Sequence, residues 1–328
     1  MAVQLCDIDL PHAVVLAPMS GVTDWPFRRA VRRAGGGLVV TEMIASAAML
    51  AEVKTEMRKL KTEVATEAPL SIQLAGWEPS VMADAAKISA DLGANVIDIN
   101  MGCPAKKVTG KQSGSALMRD EHHAAAILDA VVKAVDVPVT LKMRLGWDDN
   151  SLNAPRLAKI AEDVGIRMVA VHGRTRCQMY TGNADWKKIG DVVAAVSIPV
   201  IANGDIRTLG DVRMAMHHSN AAGVMIGRGA QGRPWFLAQA GDLLNKKNIR
   251  PDPSIAKRHQ FMLAHLDDMI SHYGSAAMRL ARKHIAWYAH GLPGSAELRD
   301  IANNTTDSAV VFAAVDEFFG ALIEQEAA

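Results

Sequence analysis

With 328 residues, 49% of them hydrophobic, and a net charge of +1, the chain can bury the core of one large α/β domain, or of a large domain and a small one. The charge balance excludes a global field that draws in nucleic acid, so a polyanion site has to come from local Lys and Arg clusters. Three widely spaced cysteines, Cys6, Cys103 and Cys177, exclude a disulfide framework or a paired zinc motif. With no apolar run of the ~18 residues needed to span a bilayer, they point to a cytoplasmic protein without a metal.

From His12 to about Asn245 one pattern recurs: a short run rich in Val, Ile and Leu, a polar turn, then an amphipathic helix. The runs are His12–Met19, Gly37–Ile44, Leu70–Ala75, Asn95–Asn100, Val139–Leu145, Met168–His172, Val200–Asn203 and Gly223–Gly227. Helical segments such as Pro79–Leu92 and Ala154–Val164 lie between them. Continuous apolar strands are buried on both faces, which means a parallel sheet. Eight repeats over roughly 235 residues fit a (β/α)8 TIM barrel better than an open doubly wound sheet. The period is irregular and leaves the register of the second repeat open.

Lys246–Pro253 is polar, holds two prolines and reads as a linker. Beyond it no strand-like run occurs. Helices are predicted over Ile255–Tyr273, Ala276–His290, Ala296–Ile301 and Asp307–Glu324, broken at Gly274, at Gly291–Gly294 and at Asn303-Asn304. The expected organisation is a barrel over 1–248 and a small helical bundle over 249–328.

Chemistry in such barrels sits at the C-terminal ends of the strands. Those ends carry Pro18-Met19-Ser20-Gly21, Gln73, Asn100 and Cys103, Lys142 and Arg144, His172-Gly173-Arg174, Asn203-Gly204-Asp205, and Gly227-Arg228-Gly229. Cys103 follows Gly102 and precedes Pro104, so a stiff turn holds the thiol on a rim beside Lys106, Lys107 and Lys111. Lys142 lies inside an apolar run, where alternation points it into the barrel mouth with Thr140 and Arg144. A buried lysine there faces either a Schiff-base substrate or the carbonyl edge of a flavin. Gly227–Gly232 satisfies G-x-G-x-x-G but closes the series of repeats, so it does not open a dinucleotide-binding unit. With Asn203–Asp205 it reads as a cradle for a phosphate and a ribityl chain.

Ala17-Pro18-Met19-Ser20-Gly21-Val22-Thr23-Asp24, Asn100-Met101-Gly102-Cys103-Pro104, Lys142-Met143-Arg144, His172-Gly173-Arg174-Thr175 and Ile201-Ala202-Asn203-Gly204-Asp205 resemble the tRNA-dihydrouridine synthases, most closely the bacterial B-type branch. The resemblance covers nearly the whole chain, including Arg282-Lys283-His284 and Trp287-Tyr288 in the helical tail. It implies a tightly but non-covalently bound FMN, NADPH as reductant, and reduction of a uridine C5–C6 bond in tRNA. FMN would be held by Pro18, Met19, Ser20, Gln73, Lys142, His172, Asn203, Gly204, Asp205, Gly227 and Arg228. Asn100 and Arg174 would contact the substrate, and Cys103 would protonate uracil C5 after hydride reaches C6. An ordinary thiol is mostly protonated at neutral pH and suits that task.

A uridine in folded tRNA has to be turned outward, and phosphate contacts must offset the unstacking. The candidates are Lys54, Arg58, Lys59 and Lys61; Lys106, Lys107 and Lys111; Arg174 and Arg176; and Arg279, Arg282 and Lys283. His122-His123 and His217-His218 read as surface pairs, Cys6 and Cys177 as bystanders, and Met214 and Met216 as core. The expected form is a monomer off the membrane. The competing readings are a flavin barrel acting on a free pyrimidine, a non-catalytic RNA-binding regulator, and a Schiff-base aldolase at Lys142.

Overall fold

The structure is a computed structural model and describes residues 4–110 and 112–327. Eight parallel strands form a closed barrel: β1 (Val14–Leu16), β2 (Val39–Val40), β3 (Leu70–Ala75), β4 (Val96–Met101), β5 (Val139–Arg144), β6 (Met168–His172), β7 (Val200–Asn203) and β8 (Gly223–Ile226). Each strand pairs with its neighbour, and closure comes from β8 on β1, with Val224 opposite Val14. The second repeat is interrupted: after β2, a separate pair Ile44–Ala45 rejoins β3 at Leu74 and Ala75. A hairpin, Gln4–Leu5 against Ile8–Asp9, closes the N-terminal end, and Leu5 and Leu10 pack there with Val15, Val96 and Met168.

Strand alternation sorts the barrel into layers. Outward positions such as Leu16, Ile72, Ile97, Leu141 and Val169 join the shell of helices in the main core. Inward positions are apolar at the bottom, with Val15, Val40, Val96, Met168 and Ile201. Toward the top they become buried polar groups: Gln73, Asp98, Asn100, Thr140, Lys142, His172 and Asn203. The register sets Asn100 beside Lys142, and Arg144 beside His172, which in turn lies beside Asn203.

Past the barrel come four helices, Ile255–Tyr273, Ala277–Tyr288, Ser295–Asn304 and Ser308–Ala327. Ser254 caps the first by accepting the Lys257 N–H at 3.3 Å. Met262, Leu266, Met269, Ile285, Leu298, Val315 and Phe319 form their own core, which takes in Trp235 and Ala34 from the barrel. The helix Trp25–Arg33 docks on this tail through Arg29 and Arg33, both paired with Asp268 at 3.0 and 2.5 Å. Lys246–Pro253 is a pinned crossing and no loose tether: Arg250 pairs with Asp242 at 2.6 Å, and Asp252 accepts from Gln239 at 3.1 Å. Met214, expected in the core, is 47% exposed, because its helix turns the faces of Val212 and Ala215 inward instead. His123 is also no plain surface residue, since it stacks on Trp77 with ring centroids 3.8 Å apart. Among the described residues, no helix is long and apolar enough to cross a membrane.

Candidate active site

The top of the barrel opens into a cleft of about 500 Å³, lined by Pro18, Met19, Ser20, Gln73, Asn100, Cys103, Lys142, His172, Asn203, Gly204, Asp205, Gly227 and Arg228. Those are residues singled out at the strand ends, where Gly21, Gly173 and Arg174 are the ones that do not line it. The Arg174 side chain is 2% exposed. Its guanidinium donates to Asp205 at 2.5 Å and to the carbonyls of Thr181 and Gly182 at 3.0 and 2.6 Å. Arg174 therefore braces the sixth and seventh loops.

One wall is a chain of hydrogen bonds. Asp98 accepts from Thr140 and Gln73, both at 2.6 Å, and Gln73 in turn accepts from the Asn100 amide at 2.7 Å. Asn100 Oδ1 then accepts the N–H groups of Cys103 at 3.0 Å and Gly102 at 3.2 Å. Burial pushes the Asp98 carboxyl up, and the bonds from Thr140 and Gln73 only partly oppose it. The turn bearing Cys103 is clamped from three further sides. Arg144 Nε donates to the Gly102 carbonyl at 2.8 Å, Ser115 Oγ donates to the Cys103 carbonyl at 2.9 Å, and Gly114, at φ +62°, leaves that carbonyl no room for a β-carbon. The half-buried thiol thus stands on a rim whose backbone has no slack.

Across the cleft, Lys142 Nζ donates to Asn203 Oδ1 at 3.1 Å, while the Asn203 amide donates to the Met225 carbonyl at 2.8 Å. Burial, helped by the nearby Arg144, lowers the Lys142 ammonium to about 8. Burial also drives His172 well below its ordinary value, with Lys142, Arg144 and Arg174 adding to the effect, so the imidazole is neutral. Arg174 has only donors and stands 3.3 Å from His172 Nε2, which places the ring proton on Nδ1. For Asp205, burial works against ionisation, but the bonds from Arg174 and the Ala184 N–H prevail and hold the carboxyl low. Its second oxygen meets Arg228 at 3.3 Å.

The donors at the cleft suit a phosphorylated, oxygen-rich ring ligand. Lys142 is a buried ammonium with three donors and one protein acceptor. Among the described residues, the N–H groups of Gly204, Asp205, Gly227 and Arg228 have no acceptor within the chain. A β-carbon on Gly227 would meet only Ala17 and Met19, both at 3.5 Å, so the backbone there can be approached closely. This is the donor set that a mononucleotide needs.

Some lining residues carried no signal at the strand ends. Met43, Met179, Tyr180 and Met225 supply apolar surface. Tyr180, 57% exposed, stands between the guanidinium groups of Arg144 and Arg228, with its ring centre 5.6 and 5.5 Å from them. An aromatic within the polar loop after the sixth strand was the available clue.

The basic clusters divide. Lys54, Arg58, Lys61, Lys106 and Arg279 are exposed. Lys59 is paired with Glu56 at 2.7 Å, Arg176 lies against Trp147, Arg282 donates to the Ala302 carbonyl at 3.1 Å, and Lys283 donates to the Gly21 carbonyl. The Lys107 side chain and Lys111 lie outside the described residues. The cysteines Cys6 and Cys177 are free and exposed, and no group of three or more His, Cys, Asp and Glu among the described residues could hold a metal.

The sequence matches the family described as dihydrouridine synthase over residues 15–323. A "probable tRNA-dihydrouridine synthase" of Rickettsia bellii is 51% identical over 325 residues, covering 99% of this chain and all of that one. The "tRNA-dihydrouridine synthase B" of Pseudomonas aeruginosa is 46% identical over 311 residues, 94% of this chain and 93% of the other. Among solved structures, mandelate oxidase is similar with a TM-score of 0.49 at 21% identity, over 75% of each chain.

Proposed function

From the premise that the chain belongs to the dihydrouridine synthase family, we propose that it reduces the C5–C6 bond of uridines in tRNA, with FMN held in the barrel mouth and NADPH as reductant. The observation that carries this reading is the convergence on one cleft of a buried cation, a row of unengaged backbone donors and a rim thiol. Bound FMN supplies the hydride delivered to uracil C6.

The chain's own residues do the rest. Lys142 supplies positive charge at the ring, where reduction deposits negative charge. The N–H groups of Gly204, Asp205, Gly227 and Arg228 receive the phosphate, with Arg228 beside them. The spare N–H of Asn100 is free for a uracil carbonyl, while its oxygen keeps the Cys103 turn in place. Cys103 hands its proton to C5, which closes the valence left by hydride addition at C6. Neutral His172, donating through Nδ1, serves as a hydrogen-bonding wall and does not add a second positive charge. The exposed cations Lys54, Arg58, Lys61, Lys106 and Arg279 meet tRNA phosphates, those of the tail acting from outside the barrel. Residues 1–248 are read as the catalytic barrel and 249–328 as the RNA-binding part, in a cytoplasmic monomer.

Heating the purified protein and chromatographing what it releases tests the cofactor: FMN is expected, and FAD or no flavin overturns the assignment. Adding NADPH and tRNA, then mapping dihydrouridine in the product, tests the reaction. Reduction of free uridine at a comparable rate would favour the small-pyrimidine reading instead.

A further inference from the structure

We propose that Tyr273 and Lys283, both on the helical tail, are positioning residues for the cleft: they hold the loop Pro18–Asp24 from outside the barrel. The proposal rests on the flavin reading only for its consequence, since the clasp itself belongs to the chain.

The loop after the first strand puts Pro18, Met19, Ser20 and Val22 on the cleft wall. Internally it is a single turn, in which the Met19 carbonyl accepts the N–H groups of Val22 at 2.9 Å and Thr23 at 3.0 Å, and the Met19 N–H reaches Thr23 Oγ1 at 2.9 Å. Val22 ties the far end of the turn to the main core, whereas Ser20 and Gly21 are exposed and depend on outside partners for a fixed position. Four partners are present. Arg28, in the helix that follows, donates to the Thr23 carbonyl at 2.9 Å. Glu42, just past β2, accepts the Gly21 N–H at 2.5 Å. Lys283 donates to the carbonyl of the same Gly21. Tyr273 donates its hydroxyl to Asp24 Oδ2 at 2.7 Å, while Asp24 Oδ1 caps the next helix by accepting the Phe27 N–H at 3.1 Å.

Two of the four anchors thus come from helices more than 240 residues away in sequence. They act on the segment whose Met19 side chain lies within 3.5 Å of a β-carbon position on Gly227. The first and eighth loops meet there, so a displaced first loop opens the cradle. The elements have discrete contacts at both ends, and the tail therefore sets ligand affinity in a cleft it does not line.

The test uses the full chain, stripped of flavin and reloaded, with Tyr273→Phe, Lys283→Met, Lys283→Arg and Asp268→Asn. Backbone hydrogen exchange is followed at residues 19–24, and FMN affinity by quenching of its fluorescence. Tyr273→Phe and Lys283→Met are each expected to speed exchange in the loop and to raise the FMN Kd about tenfold, the effect of one charge-assisted hydrogen bond. Lys283→Arg should restore most of the affinity. Asp268→Asn, which loosens the tail at Arg29 and Arg33 but touches no part of the loop, should lower the melting temperature and leave both readouts unchanged. Wild-type exchange in both variants overturns the proposal, and so does an equal effect from Asp268→Asn. Should the wild-type protein bind no FMN, the flavin reading fails and loop exchange alone decides the clasp.

Discussion

The barrel mouth and the junction with the helical tail both bury titratable side chains, yet they satisfy them differently. At the mouth, Asp98, Gln73, Asn100, Lys142 and Asn203 are each bonded to a protein partner. At the junction, His265 and His284 stand edge to face at 4.7 Å beside Phe27, and among the described residues both nitrogens of His284 and Nε2 of His265 have no partner. Burial, reinforced by Arg33 and Lys283, lowers His265 to about 3. Burial also takes His284 well below its ordinary value. These imidazoles are neutral, flat packing groups. Perturbed titration alone therefore does not mark a site. A buried group becomes functional when its partners orient it and leave a donor turned to open space.

Removing Cys103 should give the largest effect and break the comparison most sharply if it fails. Cys103→Ala is expected to slow flavin reoxidation by tRNA ~10²–10⁴-fold, as loss of a positioned acid does, and to leave reduction by NADPH near wild type. Stopped-flow measurement of the two half-reactions, beside a melting curve, decides it. Equal slowing of both would return the thiol to packing.

Lys142→Met should raise the FMN Kd or slow flavin reduction by about 10–100-fold, the loss of one preorganised charge. The pH dependence has a definite sign. Folding lowers Lys142 to about 8 from 10.5, so the folded chain binds fewer protons in that window and the ammonium costs stability below it. The flavin-free methionine variant should accordingly be more stable than wild type at pH 7, with the gap closing toward pH 10.5. Urea melts across that range check it, and FMN affinity that falls through about pH 8 in the wild type should become flat in the variant.

At the junction the sign runs toward acid. His265 and His284 resist protonation when folded, so their contribution is present above the ordinary histidine value of 6.5 and lost as pH falls below it. Each can contribute a slope of at most about 1.4 kcal/mol per pH unit. His284→Phe should flatten the fall in stability between pH 6.5 and 5 and leave flavin binding intact. An unchanged slope would show that the imidazole is already partnered in solution.

The smallest effect belongs to Arg279, which is exposed on the tail. Arg279→Ala should weaken tRNA binding less than about tenfold and reduce the salt slope by about 1, with FMN affinity unchanged. Titrations at two salt concentrations separate this from any change in the cleft.

The periodicity of the chain was enough to place the third to eighth barrel strands within a residue and the first two more loosely, because strands buried on both faces read as continuous apolar runs. It also placed Gln73, Asn100, Lys142, His172 and Asn203 on one cleft, since inward positions at the C-terminal ends of closed parallel strands must converge. The interruption of the second repeat was visible only as an irregular period, and the break between Val40 and Ile44 came from its pairing with β3.

What periodicity does not carry is the choice of partner. Arg174 and Lys283 were read as phosphate contacts because an arginine or lysine looks the same whether it ends in solvent or on a carbonyl. In the structure one is bonded to Asp205, 31 positions on, and the other to Gly21, 262 positions back. Local sequence determined the strands, their inward faces and the residue types at the mouth, because those follow from a two-residue repeat and from chain ends meeting. Only the tertiary structure decided which cations are free, which are spent holding loops, and that the tail grips the first loop, because those outcomes depend on the docking of segments that share no local pattern.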